Sequence, residues 1–214
     1  MLFDFAALAP QDCYKLLVAT ITPRPIAWVV TQDPAGQLNA APYSFFNAMS
    51  GDPPLVVFGI GGREPGDAKD TGNNIRQTGQ FVVNLVDEAS AEAMNVTAVD
   101  FPHGVDEIAE AGLHILPSTH VAPPRIAESP VALECERMMA IEVGAGRTMV
   151  VGRVLAMHVR DDAVIDRDRC YIDTPSLRLI GRMHGAGWYA RTSDLFEVKR
   201  ISLAAYTAAE GSKS

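Results

Sequence analysis

The chain has 214 residues, a formal net charge of −8, 48% hydrophobic residues and 21% charged ones. That length and balance suit one soluble domain, or one with a substantial insertion, long enough to enclose a proper core. The acidic balance argues against nucleic acid or an anionic membrane as a partner, and no apolar run reaches the roughly 18 residues that would span a bilayer.

The opening stretch, MLFDFAALAPQD, carries two acids and no basic run, so no secretory signal is read there and a cytoplasmic protein is expected. A short helix is predicted around Gln11 to Leu17, with Pro10 near its first turn, as a lid packed on the strands. Ile26 to Thr31 is β-branched and aromatic, Asp33-Pro34-Ala35-Gly36 reads as a turn, and Gln37 onward is again extended, which predicts a hairpin. Proline cannot donate to a ladder, so Pro23, Pro25, Pro42, Pro53 and Pro54 belong at strand ends, edges or bulges. Asp52-Pro53-Pro54 breaks the chain before a strand from Leu55 to Ile60. A plain meander needs neither an arginine bracketed by prolines, Arg24, nor the small polar series Asn39, Ala40, Ala41, Pro42, Tyr43, Ser44, Phe46, Asn47 and Ser50. A ligand explains both.

Gly61-Gly62-Arg63-Glu64-Pro65-Gly66 lacks the G-K-[ST] ending of a phosphate loop and reads as a turn. Asp70 or Thr71 can cap a helix that Gly79 ends. Lys69 beside that helix start makes an anion pocket, the alternative being a solvated charge with Thr71 as a simple cap. Phe81 to Val86 is apolar enough for a central strand covered on both faces. Glu88 to Val99 favours helix, and Asp100 to Pro130 is irregular. Val131 to Val143 alternates, with Leu133, Cys135, Met139, Ile141 and Val143 on one face and Glu134, Glu136 and Glu142 on the other. Glu134 and Glu136 read as a solvated face rather than as paired catalytic carboxylates.

Arg147 to Val159 is the partner strand across a turn at Ala145-Gly146, and Arg160 to Arg169 is a charged loop. Arg178 to Arg191 mixes glycines, cations and aromatics. It is either the second wall of a site or a glycine turn with Trp188 and Tyr189 in the core or at a dimer contact. Asp194 to Ser202 is expected to pack back as an extended segment. No repeat or linker divides the chain, so one domain is expected over residues 1–214, with a core of about 15–200 and a frayed tail over 205–214. Cys13, Cys135 and Cys170 are widely spaced without C-x-x-C and read as reduced, structural thiols. His103, His114, His120 and His158 lack the clustering of a metal site.

Six motifs stand in order: T-P-R-P-I-A at 22–27, N-A-A-P-Y-S-F-F-N at 39–47, D-P-P-L-V at 52–56, K-D-T at 69–71, then N-I and F-V-V-N-L-V. Together they resemble the flavin reductase-like family. The resemblance implies a mainly β fold with peripheral helices, a split antiparallel β-barrel of the FMN-binding type, paired as a homodimer. It implies FMN as cofactor, NADH or NADPH as co-substrate, and hydride transfer from nicotinamide to flavin N5, with no side chain acting as nucleophile. Rival readings are an FMN-binding electron carrier in the manner of flavoredoxin, or an enzyme of the pyridoxamine-phosphate oxidase type. An electron-acceptor protein or a monooxygenase is the implied partner.

Carried onto these residues, Arg24 and Lys69 neutralise the FMN phosphate, with Asp70, Thr71 and nearby N–H groups around it. Backbone at Ala40, Ala41 and Pro42 meets the isoalloxazine edge, Ser44 and Asn47 add side-chain hydrogen bonds, and Asn39 and Phe46 belong to the same cofactor-binding set. Arg182 and Gly185 belong to a G-R-x-x-G element on the cofactor side. His184 either orients the nicotinamide or is structural.

Overall fold

Turn chemistry alternating with short extended runs makes the first half of the chain a meander. The computed structural model describes residues 1–61, 69–102, 104–144 and 146–211; all but Gly61 of the glycine turn expected over 61–66, together with His103 and Ala145, lies outside them. Helix α1 (Pro10–Thr20) carries proline in its first turn, as expected, and runs past the predicted end. Four strands follow: β1 (Ala27–Gln32), β2 (Leu38–Tyr43), β3 (Phe46–Gly51) and β4 (Pro54–Ile60). The β1–β2 turn is locked by Asp33, whose carboxylate accepts the amides of Ala35 and Gln37, both at 2.8 Å.

Helix α2 (Asp70–Thr78) ends at Gly79, whose φ of 72° is the left-handed geometry glycine adopts without strain. Strand β5 (Gln80–Asn84) is central, between β1 and β8 (Val131–Glu142). The intervening stretch holds α3 (Ala91–Val96), shorter than the predicted helix, then α4 (Glu107–Glu110), β6 (Ile115–Leu116) and β7 (Arg125–Ile126). Strand β9 (Thr148–Val159) pairs with β8. The chain then adds β10 (Val164–Asp166), β11 (Tyr171–Ile172), β12 (Ile180–Arg182), β13 (Tyr189–Arg191) and α5 (Leu203–Gly211).

Seven strands form one antiparallel sheet in the order β2-β1-β5-β8-β9-β4-β3. The sheet is rolled, because Tyr43 near one edge, Phe81 in the middle and Phe58 near the other edge meet inside it. Tyr43–Phe58 and Phe58–Phe81 ring centroids are each 5.5 Å apart. The two edges, β2 and β3, are joined through Ser44 and Phe45, and Phe45 O accepts Gly59 N at 2.8 Å. A second core on the outer face, built from Trp28, Val30, Val82, Met94, Ile108 and Ile126, buries β1 and β5 on both sides. Burial also pushes the Cys135 thiol up to about 12. Among the described residues no helix is long and apolar enough to cross a membrane.

Three expectations are corrected. Glu134 is not solvated: it is fully buried and accepts Thr119 N (2.8 Å), His120 N (2.6 Å) and His158 Nε2 (2.6 Å), while half-buried Glu136 pairs with Arg153. Two register shifts along β8–β9 break the alternation, and Met138, Met139 and Ile141 turn outward. The segment after Asp194 does not pack back, since Leu195, Phe196 and Val198 stay exposed.

Candidate functional site

The N-A-A-P-Y strand, β2, is an edge, so its outward backbone groups must find partners other than a neighbouring strand. At its start a buried polar chain supplies one. Glu107 of α4 accepts Asn39 Nδ2 at 2.8 Å and Ala40 N at 3.1 Å. With its amide nitrogen spent, Asn39 turns Oδ1 to Thr71, whose hydroxyl donates at 2.7 Å. Thr31 Oγ1 lies 3.5 Å from the same oxygen and accepts Asn74 Nδ2 at 3.1 Å. Burial raises the Glu107 carboxyl above its ordinary value, against the Ala40 and Asn39 hydrogen bonds that lower it; nearby Asp70 adds to the rise.

Lys69 occupies the cap position of α2, where Asp70 or Thr71 was expected. Its carbonyl accepts Gly72 N (2.9 Å) and Asn73 N (3.1 Å), and its side chain is half-buried beside the helix start. Asp70 is likewise half-buried. A shallow recess beside Asp70 is lined by Asp33, Gln37, Asn39, Asp70 and Asn74. Its two acids make it a poor seat for a phosphate, which leaves the Lys69 side of the helix start for an anion.

The other end of β2 is cationic. Arg24 is 6% exposed. Its Nη1 donates to Val18 O (2.8 Å) and Ile21 O (2.7 Å), Nη2 to Met183 O (2.9 Å) and Nε to Ser44 Oγ (3.4 Å). Burial holds this guanidinium below its ordinary value, with Tyr14 opposing the shift and Arg182 adding to it. Arg24 and Arg182 exchange backbone hydrogen bonds, 3.0 Å and 2.8 Å, which fixes the β12–β13 hairpin against the T-P-R-P segment. Gly181 sits where a Cβ would come within 2.7 Å of Pro23 Cβ. Arg182 donates to Trp188 O (3.0 Å), Gly185 O (3.2 Å) and Ala186 O (2.8 Å) and lies over the Tyr189 ring. Gly185, at φ 64°, forms the hairpin tip, where exposed His184 stacks on exposed Trp188 with centroids 6.3 Å apart.

The sequence-predicted residues therefore form two groups joined by β2. Asn39 and Ser44 are five positions apart, about 17 Å at roughly 3.3 Å per residue. Arg24 lies by Ser44, whereas Lys69 caps the helix whose Thr71 reaches Asn39, so the two cations stand toward opposite ends of this strand. Thr71 does not direct its hydroxyl proton to an anion either, since it is 1% exposed and donates to Asn39. Nor is the Ala40 amide open to a ring carbonyl, being taken by Glu107. With Ala40 turned outward, Ala41 faces the β1 ladder, where it is level with Val29. Half-buried Pro42 and Ser44 stand between the two ends, while half-buried Ala41 and Phe46 pack against the interior core and exposed Asn47 follows on β3.

Glu107 was missed by sequence reasoning. It follows the helix cap Asp106 in an acidic run, D-E-I-A-E, that reads as solvated. The partners that bury it are 67 and 68 positions away. Among the described residues no His, Cys, Asp and Glu cluster is placed to hold a metal.

An elongated, amphipathic anion fits this arrangement: one lysine and a helix start at one end, two arginines at the other, and small side chains between. Residues 19–173 match the model of the flavin reductase like domain. The chain is 44% identical over 206 residues to a protein of Deinococcus radiodurans, covering 94% of this chain and 90% of that one. Among solved structures it resembles the 2-nitrobenzoate 2-nitroreductase of Pseudomonas fluorescens, at 34% identity and a TM-score of 0.86 over 95% of this chain and 98% of that one. It also resembles nitrilotriacetate monooxygenase component B of Bacillus cereus, at 32% identity and a TM-score of 0.86 over 92% of this chain and 98% of that one. The chain belongs to the flavin reductase-like family.

Proposed function

We propose that the protein is an FMN-dependent NAD(P)H oxidoreductase that passes electrons from a nicotinamide nucleotide, through flavin, to an acceptor. The observation that carries the reading is the edge strand itself, about 17 Å of backbone lined by small residues with cations at both ends. Lys69 and the first turn of α2 would hold the phosphate, where a point charge and helix amides act on one group. Ala41, Pro42, Ser44, Phe46 and Asn47 would lie along the ring system, with Ser44 and Asn47 as its side-chain hydrogen-bond partners. FMN, when bound, supplies the hydride-accepting chemistry. The protein's part is to position two flat rings and exclude water, so no side chain has to act as nucleophile or base. Exposed Trp188 and His184, stacked at the hairpin tip, would offer the nicotinamide an aromatic surface.

The likeness to a nitroreductase and to a monooxygenase component supports an oxidoreductase whose acceptor is a nitroaromatic compound or a monooxygenase partner. Anaerobic mixing of FMN-loaded protein with NADH or NADPH tests this. Bleaching of the flavin absorbance with turnover of added FMN is expected, whereas a bound flavin inert to both nucleotides would make the protein a carrier. Lys69→Ala is expected to weaken FMN binding by about 1.5–3 kcal/mol, roughly one to two decades in Kd. Equilibrium dialysis checks it, and an unchanged Kd removes Lys69 from the phosphate.

A further inference from the structure

We infer that Arg24 and Arg182 form a cationic pair whose field, rather than any hydrogen bond, favours the reduced form of the flavin at the Ser44 end of β2. This rests on the proposed flavin site and gives these two residues a role that the phosphate assignment does not.

Neither guanidinium has a carboxylate partner among the described residues. Of the other described arginines, some are paired, Arg76, Arg153, Arg160 and Arg191 with Glu142, Glu136, Asp162 and Glu88; what sets Arg24 and Arg182 apart is that they are joined by their own backbone hydrogen bonds. In a chain of net charge −8, two adjacent arginines left without an acid keep an uncancelled positive charge. Holding Arg24 at 6% exposure next to a like charge is costly, and the backbone exchange between the two residues keeps them together despite that cost.

The direction of their N–H groups decides what that charge can serve. Arg24 spends four hydrogen bonds on Val18 O, Ile21 O, Met183 O and Ser44 Oγ, and Arg182 spends three on the carbonyls of its own hairpin. Carbonyl dipoles hold the groups without cancelling a unit charge. A phosphate draws its binding from direct, charge-assisted hydrogen bonds, which these residues are badly placed to give. Charge spread over a ring system needs only a nearby field, and in a partly dry site that field is weakly screened. Hydride from the nicotinamide brings two electrons and one proton. The nicotinamide is thereby oxidised to its cationic form and the flavin gains one negative charge, the charge this pair would stabilise.

The test compares Kd for oxidised FMN with Kd for FMN reduced by dithionite, both anaerobically, in the full-length protein and in Arg24→Gln, Arg24→Lys and Arg182→Gln. The expected result for Arg24→Gln is a loss of affinity for reduced FMN about tenfold greater than for oxidised FMN, equivalent to about 30 mV of lowered potential. Arg24→Lys should keep the ratio within about threefold of the parent, because the charge stays. Arg182→Gln should shift it the same way by about threefold or more. Equal weakening of both forms, or an unchanged ratio, overturns the inference and leaves Arg24 a structural clamp. Should Arg24→Gln lose its cooperative unfolding transition, Arg182→Gln decides alone. A parent protein that binds neither form of FMN ends the flavin reading itself, and the inference with it.

Discussion

Two buried carboxylates respond to acid in opposite senses, and neither environment follows from the residue type. Burial alone would raise Glu134, but the His158 hydrogen bond and the amides of Thr119 and His120 outweigh it and hold the carboxyl below its ordinary 4.5. A depressed folded value means stability fully present above 4.5 and lost as pH falls through the folded value. Glu107 is raised, so its contribution is full below 4.5 and is lost as pH rises through the folded value. Urea midpoints of Glu134→Gln, measured relative to the parent, should therefore improve on going from about pH 7 to about pH 4, and those of Glu107→Gln should worsen. Parallel profiles would remove the assigned environments. At neutral pH, Glu134→Ala is expected to cost about 1–3 kcal/mol, by stranding two amides. The alternation along 131–143 correctly set Glu134 opposite Leu133 and Cys135. Parity names a face but not what covers it, and the segment carrying Thr119 and His120 covers this one.

At the level of elements, strands announced by β-branched and aromatic residues were legible: β1, β4, β5, β8 and β9 all form where they were expected. β3 was not separately read, because Ala48, Ser50 and Gly51 carry little strand preference. It forms because β4 offers it a ladder, from Phe46 against Phe58 to Gly51 against Pro54. The helix starting beside Lys69 was anticipated, but with the wrong cap, since Thr71 turns inward to Asn39. Gly152 on β9 shows how tightly the elements meet: a Cβ there would lie 2.3 Å from Phe81 Cζ. Gly152→Ala should destabilise by about 1–3 kcal/mol in a denaturant titration, through displacement of that ring from the interior cluster. A loss below about 0.5 kcal/mol would mean the β5–β9 spacing is loose.

For the molecule as a whole, fold class was legible because six motifs occur in order, whereas assembly was not, since exposure cannot be seen in a sequence. Met138, Met139 and Ile141 on β8 and Met157 on β9 turn outward, as do Leu195, Phe196 and Val198 beyond β13. We propose that this exposed apolar surface is covered in a homodimer, with the β8–β9 hairpin in the contact. The double variant Met139→Asp, Ile141→Asp should sediment as a monomer while each chain keeps its stability within about 0.5 kcal/mol. A dimer unchanged in that variant would move the contact elsewhere.

The carboxylate at the margin of β2 has one more effect. Ala40 has already given its N–H to Glu107, and Pro42 has none to give, so an extended segment from another molecule finds no run of donors to zip along. That side of the rolled sheet is closed to fibril-like growth, and a small molecule can lie along it without competing against strand addition.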